Sequence, residues 1–245
     1  MWTFFHKLGS PRHFYRISGR LLPWLAWLTV LLMAGGLYGG LVLAPPDYQQ
    51  GESYRIIFIH VPSAWMSLFV YVVMAAAGAI GLVWHMKLAD VVAAASAPIG
   101  ASFTFLALVT GSLWGKPMWG TYWVWDARLT SELVLLFLYF GVIGLHAAID
   151  DKRTASRAAA VLALVGVVNI PIIHYSVEWW STLHQGPTVT KIDAPSIHVS
   201  MLVPLVTMAL AFKLYYATVL LMRARTEVLE RERASAWVRE LARGT

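Results

Sequence analysis

The chain reads as a succession of long apolar runs separated by short polar stretches. Six runs stand out: Leu21 to Leu43, Val61 to Val83, Val91 to Leu113, Leu129 to Ile149, Ala158 to Tyr175, and Met201 to Met222. Crossing a bilayer takes about 20 mainly apolar residues in helical form, because each backbone N–H and C=O must find its partner inside the segment. Each run is near that length and none carries a charge at its centre. The pattern therefore predicts an all-α integral membrane protein, with six transmembrane helices forming a single membrane domain over residues 1–245. Lys213 is the one basic residue within a run, in the second half of the sixth, where its stem can reach toward the interface. Pro98, Pro171 and Pro204 fall inside runs, which membrane helices tolerate when neighbours satisfy the freed carbonyls. The first run is too long for the core of a signal peptide. No small-x-small cleavage site follows it before Pro45 and Pro46, which predicts an uncleaved helix.

Basic residues are unevenly shared between the two sides. Lys7, Arg12, Arg16 and Arg20 precede the first run, and Lys87 lies in the second loop. Lys152, Arg153 and Arg157 lie in the fourth loop, and six arginines run from Arg223 to Arg243. With Lys213 these make fifteen of the nineteen basic residues; Arg55, Lys116, Arg128 and Lys191 lie opposite. The positive-inside rule then predicts both termini in the cytoplasm and the functional loops on the outer, periplasmic face. The net charge of +6 is thereby assigned to topology and anionic lipid, not to nucleic acid. Residues 223–245 are expected to form a cytoplasmic C-terminal helix, with Glu227 and Arg231 as an i,i+4 pair.

Composition removes several functional classes. Hydrophobic residues make up 58% of the 245 and charged residues only 13%, well away from a soluble domain. Six spans of about 20 residues use half the chain and leave no room for a sizeable soluble domain. No G-x-x-x-x-G-K-[ST] segment occurs, so ATP hydrolysis is expected to belong to another chain. The absence of cysteine excludes disulfides, iron–sulfur clusters and haem attachment through C-x-x-C-H.

The three outward loops, Ala44 to His60, Trp114 to Arg128 and Ser176 to Ser200, are rich in aromatic residues. Trp114, Trp119, Trp123, Trp125, Trp179 and Trp180 are half of the chain's twelve tryptophans. Two readings fit: an aromatic belt at the headgroup level, or a platform of flat rings for a planar, apolar ligand. Belts form at both interfaces, whereas the inward loops supply only Trp84. Gly115, Pro117 and Gly120 within LWGKPMWGTYWVWDAR are expected to break regular helix.

Histidines sharpen the second reading. His60 stands in YRIIFIHVP and His184 in EWWSTLHQGP, both on the outward side. Two neutral imidazoles facing each other across an aromatic cavity are the axial ligands of a haem iron, although each taken singly is also a common polar anchor. His174 and His198 lie near the same face and His146 toward the inward end of the fourth run, while His6, His13 and His85 lie inward. Guanidinium forks at Arg55 and Arg128 suit the carboxylates of a haem or the phosphates of lipid. Asp126 is placed to cap the fourth helix, and Glu132 to sit against its N-terminal dipole.

The stretch WGTYWVWDARLTSE resembles the tryptophan-rich "WWD" motif of the haem-handling proteins of cytochrome c maturation. Together with PPDYQQGESYRIIFIHVP, GKPMWG and NIPIIHYSVEWWSTLHQG, it makes residues 45 to 190 similar to the C component of that bacterial system, the CcmC family. The resemblance implies a multi-pass inner-membrane protein that is not itself an enzyme. Such a protein holds haem b at the periplasmic face and loads it onto a periplasmic haem chaperone, CcmE. Its implied partners are the ABC transporter subunits CcmA and CcmB and the small membrane protein CcmD. Carried over residue by residue, the iron ligands fall on His60 and His184, and the motif on Trp114, Trp119, Trp123, Trp125 and Asp126. Arg55 and Arg128 would bind propionates or orient the chaperone. Tyr122 stands where the family has the first of two paired tryptophans; it keeps a ring and adds a hydroxyl, so either Tyr122 or Trp123 can stack on the porphyrin. Two other functions stay open on the residues alone. A haem-translocating permease subunit would want polar sites at the membrane midplane, and a b-type cytochrome oxidising quinol would want histidines stacked within helices.

Overall fold

A computed structural model describes residues 9–180, 182–184, 186, 189 and 194–243. Among these the regular structure is helical: α1 (Pro11–Tyr38), α2 (Ile57–Trp84), α3 (Lys87–Trp119), α4 (Ala127–Ala148), α5 (Lys152–Gly166), α6 (Asn169–Trp179), α7 (Val199–Arg231) and α8 (Ala236–Arg243). Six stretches are long and apolar enough to cross a membrane: Pro11–Leu43, Glu52–Trp84, Lys87–Trp119, Ala127–Ala148, Lys152–Trp179 and Val199–Arg231. They contain the six predicted runs almost entirely, and a multi-pass membrane protein follows.

The bundle is apolar on its outside as well as in its core, with small polar side chains buried among the helices. Trp24, Trp27, Phe105, Phe137 and Val165 are exposed, while Ser63, Ser67, Ser96 and Thr104 are fully buried. Lipid offers no penalty to exposed apolar rings, so helices associate through small residues and shared hydrogen bonds. A Cβ on Gly78 would touch Ala160 of α5, and one on Gly100 would overlap Tyr139 of α4. Across the interior, the Tyr139 hydroxyl donates to the Ser67 carbonyl at 2.8 Å, and Ser67 donates to Glu132 at 2.7 Å. Glu132 thus faces a buried hydroxyl on α2 as well as its own helix terminus. α1 lies against α7, α2 against α3, and α4 against α3, α5 and α6.

Three elements differ from the sequence reading. The fifth run is divided: α5 ends at Gly166 and α6 begins at Asn169, with a tight turn at Val167 and Val168. Pro171 explains the break, since it has no N–H to give the Val167 carbonyl. The third helix does not stop near Leu113 but continues through Gly115 and Pro117 to Trp119, ending at Gly120 in the left-handed conformation, φ 77°. The C-terminal tail is two helices. α7 runs to Arg231, with the expected Arg231 Nε to Glu227 Oε1 bond at 2.7 Å, and then α8 turns back so that Trp237 meets Tyr15 at 5.8 Å between ring centroids.

The two ends of the bundle differ in kind. One gathers Lys87–Glu232 and Lys152–Glu230 ion pairs, at 3.0 and 3.5 Å. The other gathers the tips of α1 to α4 and α6 with the aromatic loops, and there the site is built.

Candidate functional site

His60 lies in the first turn of α2 and points across to α3. Its Nδ1 stands 3.0 Å from the Ala107 carbonyl and 3.1 Å from Thr110 Oγ1. A carbonyl can only accept, and Thr110 gives its own proton to the Leu106 carbonyl at 2.6 Å. Nδ1 must therefore carry the hydrogen, which leaves the Nε2 lone pair free. Gly111 makes room for this placement: a Cβ there would stand 2.9 Å from His60 Cε1. Trp114, one turn further along α3, meets the imidazole edge to face, 5.7 Å between centroids. Its indole N–H donates to Gln50 Oε1 at 3.0 Å, tying the loop before α2 to α3.

His184 is held by a different device. Asp126 caps α4 by accepting the Leu129 N–H at 2.8 Å through Oδ1. Its other oxygen, Oδ2, accepts the Thr182 hydroxyl and lies 3.5 Å from His184 Nδ1. Thr182 Oγ1, its proton committed to Asp126, lies 3.4 Å from the same nitrogen and accepts the His184 backbone N–H at 3.2 Å. Both groups turn lone pairs toward Nδ1, so the proton sits there and Nε2 is again left free. Trp119 packs on the ring at 4.8 Å, with 64° between planes. Burial and the Arg128 charge hold the His184 imidazole below its ordinary pKa against the pull of Asp126. For Asp126, burial alone would raise the carboxyl, but bonds from Thr182 and Leu129 and the neighbouring His184 keep it below the usual range. The result is a neutral imidazole beside an ionised carboxylate.

The histidines are close enough for a charge on one to be felt by the other, and both feel Arg128. The Arg128 guanidinium, in the first turn of α4, makes no hydrogen bond or ion pair among the described residues, and its counter-charges are Glu132 one turn on and Asp126. Arg55 is more occupied. Its Nε donates to Glu52, and one terminal nitrogen donates to the Gly40 carbonyl at 2.9 Å, in the π-helical turn Gly39–Leu43 that ends the first span.

Within the motif, Trp123 turns inward against the core with its indole N–H buried and unpartnered among the described residues. Trp125 meets it edge to face at 5.4 Å and is 76% exposed. Tyr122 faces out, with the Lys116 ammonium 5.3 Å above its ring. Trp179 and Trp180 follow on the adjoining end of α6, Trp179 stacked on Tyr175 at 5.3 Å. His174 contacts Tyr175, and His198 caps α7 through its ring nitrogen. Lys191, Lys7 and His6 lie outside the described residues. The sequence reading did not single out Ala107, Thr110, Gly111, Gln50 or Thr182; of these only Gly111, a small residue inside an apolar run, carried a signal of close approach.

Together these features define a six-span membrane protein with a histidine–tryptophan site assembled at one end from helix tips and loops. A family model described as "Heme exporter protein C" (CcmC) matches residues 4–239, and the chain belongs to that family. It is 57% identical over 241 residues to "Heme exporter protein C" of Escherichia coli (strain K12), covering 98% of this chain and 97% of the relative. The protein of the same name from Haemophilus influenzae is 50% identical over 242 residues, covering 99% and 98%. That from Bradyrhizobium diazoefficiens is 54% identical over 236 residues, covering 96% and 89%.

Proposed function

We propose that the protein binds haem b at the periplasmic surface of the bacterial inner membrane and presents it to the chaperone CcmE during c-type cytochrome biogenesis. Haem is cargo in this reading, and the chain performs no bond chemistry of its own. The observation that carries it is the matched state of two imidazoles from distant parts of the chain. Each has Nδ1 held by acceptors, each keeps an Nε2 lone pair, and each is flanked by an indole. A planar complex that brings four in-plane donors needs only these two protein ligands. Arg128, whose guanidinium has no hydrogen-bond partner among the described residues, is suited to one propionate, and Arg55 has one terminal nitrogen left for another contact. Trp114 and Trp119 flank the iron ligands, and Trp123 is better placed than Tyr122 to meet the porphyrin because it faces inward.

The orientation follows from the basic residues, with both termini and the ion-paired end in the cytoplasm. CcmA and CcmB supply the ATPase and CcmD a further membrane contact. The test is chaperone loading in cells: covalent haem on CcmE, read by haem staining, falls severely with His184→Ala or His60→Ala at equal protein levels. Undiminished loading in both variants overturns the assignment.

A further inference from the structure

A groove of about 440 Å³ runs between α1, α3 and α7, and its lining also includes Ile59 of α2, the residue before His60. Its far wall includes Leu37 and Leu106, its open side Ser102 and Tyr215, and its mouth Arg223. From Met208 to Arg223 the groove follows α7 for about 22 Å at the helical rise per residue. The apolar part, Met208 to Val219, is about 16 Å long, close to one leaflet of a hydrocarbon core about 30 Å thick. One extended hydrocarbon chain can follow a groove of this length.

The mouth supplies charge. Arg225 is engaged with the Tyr15 carbonyl and Ser18, and Arg231 with Glu227. Arg223 is exposed and has no ion pair or hydrogen bond among the described residues, at the end of the bundle where Arg16 and Arg20 also stand exposed. An unpaired guanidinium at the headgroup level of an apolar slot one leaflet deep is complementary to a phosphodiester with an acyl chain beneath it. We infer that this groove is a binding site for one anionic phospholipid, its acyl chain lying along α3 and α7 and its phosphate on Arg223. The lipid seals α1 and α7 against α3 on the basic side of the membrane.

Native mass spectrometry of the full-length chain, purified in mild detergent with phosphatidylglycerol or phosphatidylcholine, tests the headgroup. One phosphatidylglycerol is retained per chain, and Arg223→Gln lowers its retention about fivefold relative to phosphatidylcholine, the worth of one basic residue near an anionic headgroup. The chain has no cysteine, so Ser102→Cys carries a single thiol. A bimane on it is quenched by phosphatidylglycerol with brominated acyl chains at fractions where bulk lipid quenches little. Wild-type retention in Arg223→Gln overturns the phosphate assignment, and quenching no stronger than from bulk lipid overturns the groove assignment. Displacement of the brominated lipid by added haem overturns both and makes the groove a haem site.

Discussion

The two histidines are held by opposite means, and the contrast explains how the site tolerates its position at a membrane surface. His60 is borne on a helix and fixed by backbone: the Ala107 carbonyl is its main acceptor, and Gly111 is the space it occupies. His184 is borne on a loop and fixed by side chains, the Asp126 carboxylate and the Thr182 hydroxyl. A backbone acceptor on a packed helix is insensitive to most substitutions and pre-orients its partner rigidly. A carboxylate anchored as a helix cap ties the His184 ring to the end of α4. One arm is therefore breakable by overfilling space, the other by removing a charge.

The largest effect is expected from the ligands themselves. His60→Ala and His184→Ala each lower haem affinity by more than about 100-fold, beyond what loss of a supporting hydrogen bond achieves. Titration of the purified protein with haem measures this, and added imidazole restores the lost absorbance band in both variants. Next is Asp126→Asn, expected to cost about 10–100-fold in affinity. Asparagine caps helices as well as aspartate, so the thermal stability of this variant stays near wild type. Loss of both together shows that Asp126 acts only as a cap.

Gly111→Ala probes the helix-borne arm. An added methyl displaces His60 at an overpacking cost of about 1–3 kcal/mol, read as a drop in haem affinity of about 5–100-fold. Gly144→Ala, which meets nothing within 4 Å, leaves binding unchanged and serves as the control. Thr110→Ala has a smaller effect, about 2–5-fold, because the Ala107 carbonyl still accepts from Nδ1. The smallest is Glu232→Gln at the ion-paired end, which removes a partly exposed contact with Lys87 and leaves haem binding at the wild-type value.

Much of the architecture was legible from residue pattern. Six apolar runs became six spans, the Asp126 cap formed, and His60 and His184 each pack against a tryptophan. What escaped was tertiary. Gly115 and Pro117 suggested a broken helix, yet α3 continues past both, because the close approach of the Trp119 ring to Gly115 and the Lys116 bond to the Gly120 carbonyl support its last turn. Pro171 divided the fifth span where a neighbour was expected to mend it. The acceptors of His60 were invisible because every residue has a carbonyl, and nothing local marks Ala107 as the one that faces an imidazole. Thr182 is likewise an ordinary loop residue until α4 brings Asp126 beside it. Arg55 showed its charge in the sequence but not its engagement with Glu52 and Gly40.

Electron paramagnetic resonance of the ferric haem-loaded protein tests the central claim most directly. The account predicts a low-spin spectrum of two imidazole ligands in the wild type, conversion to high spin in His60→Ala and in His184→Ala, and return to low spin on adding imidazole. A wild-type spectrum in either variant would contradict the claim that these two side chains grip the iron.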